Sequence, residues 1–173
     1  MEDLANKDGY LTGKKIVVAL SGGIDSVVLL HFLNKHYPGN VRAVHINHNL
    51  SKHSDEWCAF CERICNSAKI EFKYISINLE NSSNIEENAR KKRYLSLTSE
   101  LRLGEILCTA HHQEDQAETF LLQLFRGSGV AGLASMPKIK SIEESELYRP
   151  FLSISKQKII DYASKNHLEW IED

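Results

Sequence analysis

The chain has 173 residues, enough for one domain with a substantial core. Hydrophobic content of 42% and charged content of 25% are ordinary for a globular protein, and a net charge of −2 excludes a molecule that is basic overall, so any nucleic-acid contact must come from a local patch or from a part outside this sequence. The longest apolar runs are strand-sized, which argues against a membrane span or a secretory leader, and the four cysteines fall in helical or strand patterns rather than a disulfide framework, so the expected location is the reducing cytoplasm.

Residues 1–13 are polar and glycine-bearing and read as a loose lead-in to one domain over 14–173. A first strand is expected over 15–20 and a helix over 25–36, ending before Pro38-Gly39. Val41-Arg-Ala-Val-His-Ile-Asn47 is a second strand. A second helix starts near Ser54, a plausible N-cap with Asp55 and Glu56 in the first turn. Ile70 to Ile77 is a third strand. Ser83-Asn-Ile-Glu86 has the form of a capping box and opens a third helix reaching about Leu103, which Gly104 stops. Strand four covers 105–109, and helix four runs from about Gln113 to Phe125. A glycine-rich loop follows at Gly127-Ser-Gly129 and Gly132. Residues 137–146 read as a polar surface excursion, with a fifth strand near 147–149 and a fifth helix over about 155–166.

Strands alternating with helices imply βαβ units, and right-handed crossovers then give an α/β, doubly wound, Rossmann-like parallel sheet of about five strands with helices on both faces. Ligands in such sheets bind beyond the carboxyl ends of the strands. Ser21, Asn47–His48, Thr109–His112 and Arg149–Pro150 all fall there, so one cleft is expected to gather them.

The most informative stretch is Ser21-Gly-Gly-Ile-Asp-Ser26, between the apolar run Ile16–Leu20 and the helical start Val27–Leu30. A helix N-terminus offers unpaired N–H groups and the positive end of a dipole, and Gly22 and Gly23 allow backbone to approach an anion with no Cβ in the way. Ser21 and Ser26 add hydroxyls. Asp25 beside a phosphate implies a cation between them, inferred to be Mg²⁺. The stretch lacks the G-K-[ST] ending of a Walker A loop, so no loop lysine reaches the phosphates, and it is not G-x-G-x-x-G. It resembles the pyrophosphate loop of ATP pyrophosphatases, which implies attack at the α-phosphate of ATP with pyrophosphate leaving.

Other groups carry two readings each. His45 and His48 have H-x-x-H spacing, but on a strand end they point to opposite faces; packing and a nucleotide or substrate contact are both open, with His48 the stronger ligand candidate. Cys58-Ala-Phe-Cys61 with Cys65 has the form of a redox or metal motif, yet Trp57, Phe60, Cys61, Ile64, Cys65 and Ala68 recur at the spacing of a buried helix face, so core is the expectation. Arg90 and Arg93, in a run of four cations, share a helix face and are either solvated or a grip on phosphates. Asp115 and Glu118 are one turn apart, next to an apolar stripe of Ala117, Phe120, Leu121, Leu124 and Phe125; they either favour the first turn of the helix or recognise an amine or Mg²⁺.

SGGIDS, HINHNL, NIEENARKKRY, AHHQEDQAET, RGSGVAGLASM and YRPFL stand in this order from about Lys14 onward. Together they resemble the tRNA(Ile)-lysidine synthetase family, whose fold is the PP-loop ATP pyrophosphatase (adenine nucleotide alpha hydrolase-like) sheet. The resemblance implies a carbon–nitrogen ligase: ATP adenylates C2 of the wobble cytidine in isoleucine tRNA with a CAU anticodon, and the ε-amine of free L-lysine displaces AMP. It implies ATP on Ser21, Gly22, Gly23, Ile24, Asp25 and Ser26 with His48 and His111 beside it, Mg²⁺ on Asp25, lysine on Asp115 and Glu118, and catalytic roles for Asp25, Arg90, Arg93, Asp115 and Glu118. Arg126 is a weaker candidate. Members continue beyond this point with C-terminal domains that help bind tRNA, so the chain reads as the catalytic domain, with a homodimer possible. Another ATP pyrophosphatase, such as a tRNA thiolase or an amide-forming synthetase, and a non-catalytic nucleotide-binding module are the alternatives.

Overall fold

The computed structural model describes residues 9–47, 53–77, 94–129, 134–142 and 145–172. Its centre is a six-stranded sheet in the order β3-β2-β1-β4-β6-β5. The strands are β1 (Lys15–Ala19), β2 (Val41–Asn47), β3 (Glu71–Ser76), β4 (Glu105–Cys108), β5 (Ile139–Ile142) and β6 (Ser145–Tyr148). All neighbours pair in parallel except β5 with β6. The helices are α1 (Ile24–His36), α2 (Ser54–Ser67), α3 (Gln113–Phe125) and α4 (Lys156–Lys165), with a further helical segment over 94–99.

The two sides of β1 explain the layering. Ile16, Val18 and Leu20 point to one face, where Val28, Leu29 and Leu33 of α1, Cys61 and Cys65 of α2, and Ile159 and Ala163 of α4 bury them. Val17 points the other way, to Val44, Leu107, Leu147 and Leu97 of the 94–99 segment. Period-two alternation with both faces covered is why β1 reads as an unbroken apolar run. From β1 the chain moves outward through β2 to β3, then returns to place β4 on the other side of β1. The order therefore reverses between β1 and β4, and the crevice beyond their carboxyl ends is the expected ligand site.

Strands 1 to 4 and three helices match the expected bounds within a residue or two, and α3 matches at both ends. The differences are local. The N-cap of α2 is His53, and Ser54 is already helical. The third helix ends at 99 rather than near Leu103, and its expected start lies outside the described residues. The polar stretch 137–146 contains β5, an antiparallel edge strand with mostly exposed side chains; its ladder bonds are made by backbone, so its polarity hid it. The sheet thus has six strands, one more than expected. Of the lead-in expected over 1–13, residues 1–8 lie outside the described residues. Gly9–Leu11 form a 3-10 turn with Leu11 buried, and the Tyr10 hydroxyl donates to Glu146 Oε2 at 2.6 Å.

Candidate functional site

The loop between β1 and α1 is built on one hydroxyl. Ser26 Oγ accepts from the backbone N–H groups of Ser21 at 3.1 Å and Gly22 at 3.2 Å, lies 3.0 Å from Ser21 Oγ, and donates to Gly23 O at 2.9 Å. Ser26 is buried, and its hydroxyl shapes the turn. Ser21 is exposed and Gly23 N–H bonds its Oγ at 3.3 Å. Gly22 has φ +97°, open to glycine and strained for other residues. Its carbonyl accepts from Ile171 N at 3.0 Å, so the last described segment of the chain braces the loop. Gly23 is the N-cap of α1 and makes no side-chain cap, and the first-turn N–H groups have no intrahelical carbonyl to bond. The loop therefore offers an anion a helix N-terminus with its positive dipole end and no Cβ in front of it.

Asp25, in the first turn of α1, is about one-third exposed. Lys156 Nζ donates to both its carboxylate oxygens, at 2.6 and 2.7 Å. Sequence reading missed Lys156, since nothing in the chain marks a lysine 131 residues away as a partner of the loop. His112, buried at the N-cap of α3, links the two sides of the crevice. Its Nε2 is 3.8 Å from Asp25 Oδ1, and its Nδ1 is 3.1 Å from Glu114 Oε2 and 3.5 Å from Asp115 Oδ2.

Asp115 accepts from the backbone N–H of His112 at 2.7 Å, so it does what a first-turn acid ordinarily does. Glu118 is exposed, one turn further along the same helix. Glu114 caps another helix: both its oxygens accept from the backbone N–H of Lys156, at 3.0 and 2.9 Å. That bond, then Glu114's own backbone N–H and the neighbouring His112 ring, holds the Glu114 carboxyl below the usual range against the opposing effect of desolvation. Gln116 makes paired bonds with the backbone of Met136, tying α3 to the segment after the glycine-rich loop. His111 Nδ1 is 2.9 Å from Thr109 Oγ1. Arg149 is buried and donates to Pro137 O, while Arg126 is exposed at the C-cap of α3. Gly127, at φ +67°, ends that helix. His48, Arg90 and Arg93 lie outside the described residues.

The apolar stripe expected on α3 is not buried among the described residues; Phe120, Leu121, Leu124 and Phe125 are 41–84% exposed. His45, by contrast, is packed. Its Nδ1 bonds Leu20 O at 2.8 Å, and burial pushes its pKa down, favouring the neutral ring. Cys61 and Cys65 are fully buried and burial pushes both thiols up to about 12, which makes them poor nucleophiles and poor metal ligands at neutral pH. Among the described residues no group of three or more His, Cys, Asp or Glu side chains is arranged to hold a metal ion. Cys61 Sγ also lies 3.3 Å from where a Cβ on Gly22 would sit, so a larger residue at 61 would push the loop. Replacing Cys58, Cys61 and Cys65 together by alanine is expected to lower the melting temperature through lost packing, at about 0.5–1.5 kcal/mol for each of the buried Cys61 and Cys65, while activity is retained. Lost activity at an unchanged melting temperature would show that the thiols take part in the chemistry.

The donor set fits Mg²⁺ only in one way. Asp25 is a partly exposed carboxylate beside a phosphate-type loop, with Lys156 on both its oxygens as seen here, and Mg²⁺ typically takes one or two carboxylates, substrate phosphates and water rather than an all-protein cage. The match to known sequences agrees with the loop. The PP-loop domain family (ATP_bind_3) matches residues 1–173. The chain belongs to that family. Similar curated proteins are named tRNA(Ile)-lysidine synthase. The one from Actinobacillus pleuropneumoniae is 45% identical over 95% of this chain and 39% of its own length, and those from Photorhabdus laumondii and Coxiella burnetii are 47% and 45% identical over 92% and 90% of this chain. This PP-loop chain thus spans about two fifths of the length of these relatives. Two solved structures share its fold: the U34-tRNA thiolase NcsA from Methanococcus maripaludis with its [4Fe-4S] cluster (TM-score 0.78, 19% identity, 99% of this chain and 64% of that one) and the NH3-dependent NAD synthetase from Campylobacter jejuni (TM-score 0.61, 20% identity, 97% and 70%). No helix among the described residues of the PP-loop domain is long and apolar enough to cross a membrane.

Proposed function

We propose that this PP-loop domain is the catalytic part of a tRNA(Ile)-lysidine synthase. The observation that carries the reading is identity of 45–47% to proteins of that name over nine-tenths or more of the chain, including the loop that supplies the anion site. In this reading the α-phosphate of ATP is attacked by O2 of the wobble cytidine of a CAU-anticodon isoleucine tRNA, and pyrophosphate leaves. The ε-amine of L-lysine, after losing a proton, then attacks C2, and AMP leaves with the former O2. Cytosine O2 is a poor leaving group until adenylation makes it part of AMP, which is why the reaction requires ATP.

The loop's backbone N–H groups and the dipole of α1 bind phosphate charge and hold it in line for attack. Mg²⁺, when bound on Asp25, neutralises charge on the phosphates. Asp115 and Glu118, one turn apart beside the crevice, recognise the lysine ammonium, and Arg90 and Arg93 serve the negatively charged transition state; His48 and His111 contact the nucleotide. The protein works in the cytoplasm, where tRNA and free lysine occur. The buried, weakly acidic thiols favour a ligase over the thiolase alternative, which needs reactive sulfur.

Mass analysis of isoleucine tRNA after incubation of the full-length protein with ATP, Mg²⁺ and lysine tests the proposal: lysidine at the wobble position is expected, and unmodified cytidine would reject it. Glu118→Gln and Asp115→Asn test the lysine site. Each is expected to weaken lysine use by about tenfold or more, because a charge-assisted bond is lost, with ATP binding near normal. Asn can still accept the His112 N–H bond, and Glu118 is exposed, so the melting temperature should barely move. A less stable protein with normal lysine use would instead leave both acids as helix-start residues.

A further inference from the structure

The loop carries no lysine of its own, yet an ammonium lies against it. Lys156 Nζ contacts both oxygens of Asp25 and remains about one-third exposed. Its backbone is anchored, because Glu114 in the first turn of α3 receives the Lys156 N–H. The side chain is therefore delivered from a fixed point, where α1, α3 and α4 converge beyond the carboxyl ends of β1 and β4. An ammonium has three donors, and Asp25 occupies two.

Asp25 cannot serve two cations well. A carboxylate with both oxygens held by an ammonium repels an incoming divalent ion through that ammonium, and a partly exposed ion pair is weak enough to exchange. We propose that Lys156 is a phosphate-binding lysine: it rests on Asp25 as seen here and turns to the polyphosphate of a nucleoside triphosphate when Asp25 takes up the divalent cation. The exchange keeps every charge paired, with ammonium on phosphate oxygen and carboxylate on metal. Lys156 then supplies, from the far end of the chain, the cation that a Walker A loop carries within itself. This inference rests on reading the loop as an ATP site, as proposed above, but not on which nucleophile the ATP activates.

The test is calorimetry on the full-length protein with the α,β-methylene analogue of ATP plus Mg²⁺, with pyrophosphate plus Mg²⁺, and with adenosine. Lys156→Ala is expected to weaken the analogue and pyrophosphate by about tenfold to a hundredfold, to leave adenosine unchanged, and to tighten binding of Mn²⁺ added without nucleotide. Lys156→Arg is expected to recover most of the phosphate affinity. Equal affinity of wild type and Lys156→Ala for the analogue, with only the melting temperature lowered, would overturn the inference and leave Lys156 as a tie between α4 and α1. If the alanine variant fails to fold, Lys156→Gln, which keeps most of the stem, decides by the same comparison. A wild-type protein that binds the analogue but makes no lysidine would sink the proposed function, while weaker analogue binding by Lys156→Ala would still support this inference and equal binding overturn it; one that binds no nucleotide would sink both.

Discussion

Glu105→Ala is expected to cost about 3–5 kcal/mol of folding stability, measured by urea unfolding, because it strands a buried arginine. Arg42 and Glu105 are 5% and 7% exposed. Arg42 Nε donates to Glu105 Oε1 at 2.7 Å, and its Nη2 donates to Oε2 at 2.5 Å and to Glu100 O at 2.7 Å. The backbone N–H of Arg102 adds a further bond to Oε2 at 2.7 Å. The pair reaches across β1 at the amino-terminal end of the sheet, opposite the crevice, so the loss should appear as stability and not as altered substrate affinity. Replacing both residues by apolar ones of similar volume should cost much less, since no charge is then left alone. A single substitution costing under about 1 kcal/mol would mean that water reaches the pair and screens it.

The same pair sets a pH dependence. Burial pushes the Glu105 carboxyl up, but the bonds from Arg42 and from the Arg102 N–H outweigh it, and the net shift is downward. A carboxyl depressed in the folded state contributes stability that is fully present above its unfolded pKa of about 4.3 and is lost as pH falls through the lower folded value. Acid should therefore erode the wild type more than the doubly apolar variant.

Gly22→Ala is expected to lower stability by about 1–3 kcal/mol and to remove most nucleotide affinity, whereas Gly23→Ala should leave stability little changed. The two glycines are adjacent but differ in backbone. Gly22, buried, holds φ +97°, where a Cβ is strained whatever the space, and that Cβ would meet Ile171 Cδ1 at 2.8 Å and Cys61 Sγ at 3.3 Å. Relief by moving the backbone would break Gly22 N–H from Ser26 and Gly22 O from Ile171 N, the bonds that define the loop. Gly23 holds φ −69°, and its Cβ would meet only Ser21 Oγ, at an ordinary 3.6 Å. Thermal unfolding beside calorimetry with the ATP analogue separates the two effects. Equal stability of the two variants would show that the loop adapts freely and that its conformation is not stored in Gly22.

The sequence by itself determined the α/β class, the parallel core and the location of the anion loop. Those properties are local or periodic: both faces of β1 are buried, so it reads as an unbroken apolar run, and a helix start with two glycines shows in six consecutive residues. The helical stripe of Cys61 and Cys65 likewise gave their burial. Only the tertiary structure decided what each polar group does. Asp115 and Glu118 look equivalent in spacing, but Asp115 bonds the His112 N–H and Glu118 is left in solvent. Ser26 Oγ is held by four polar atoms of its own loop, which its place in the sequence does not show. Lys156 meets Asp25, and Arg42 meets Glu105, across 131 and 63 residues. An ion pair depends on where two side chains end in space, and sequence carries no periodic or short-range signal of that; it emerges only when the chain turns back after β3 and sets β4, and then α4, beside β1 and α1.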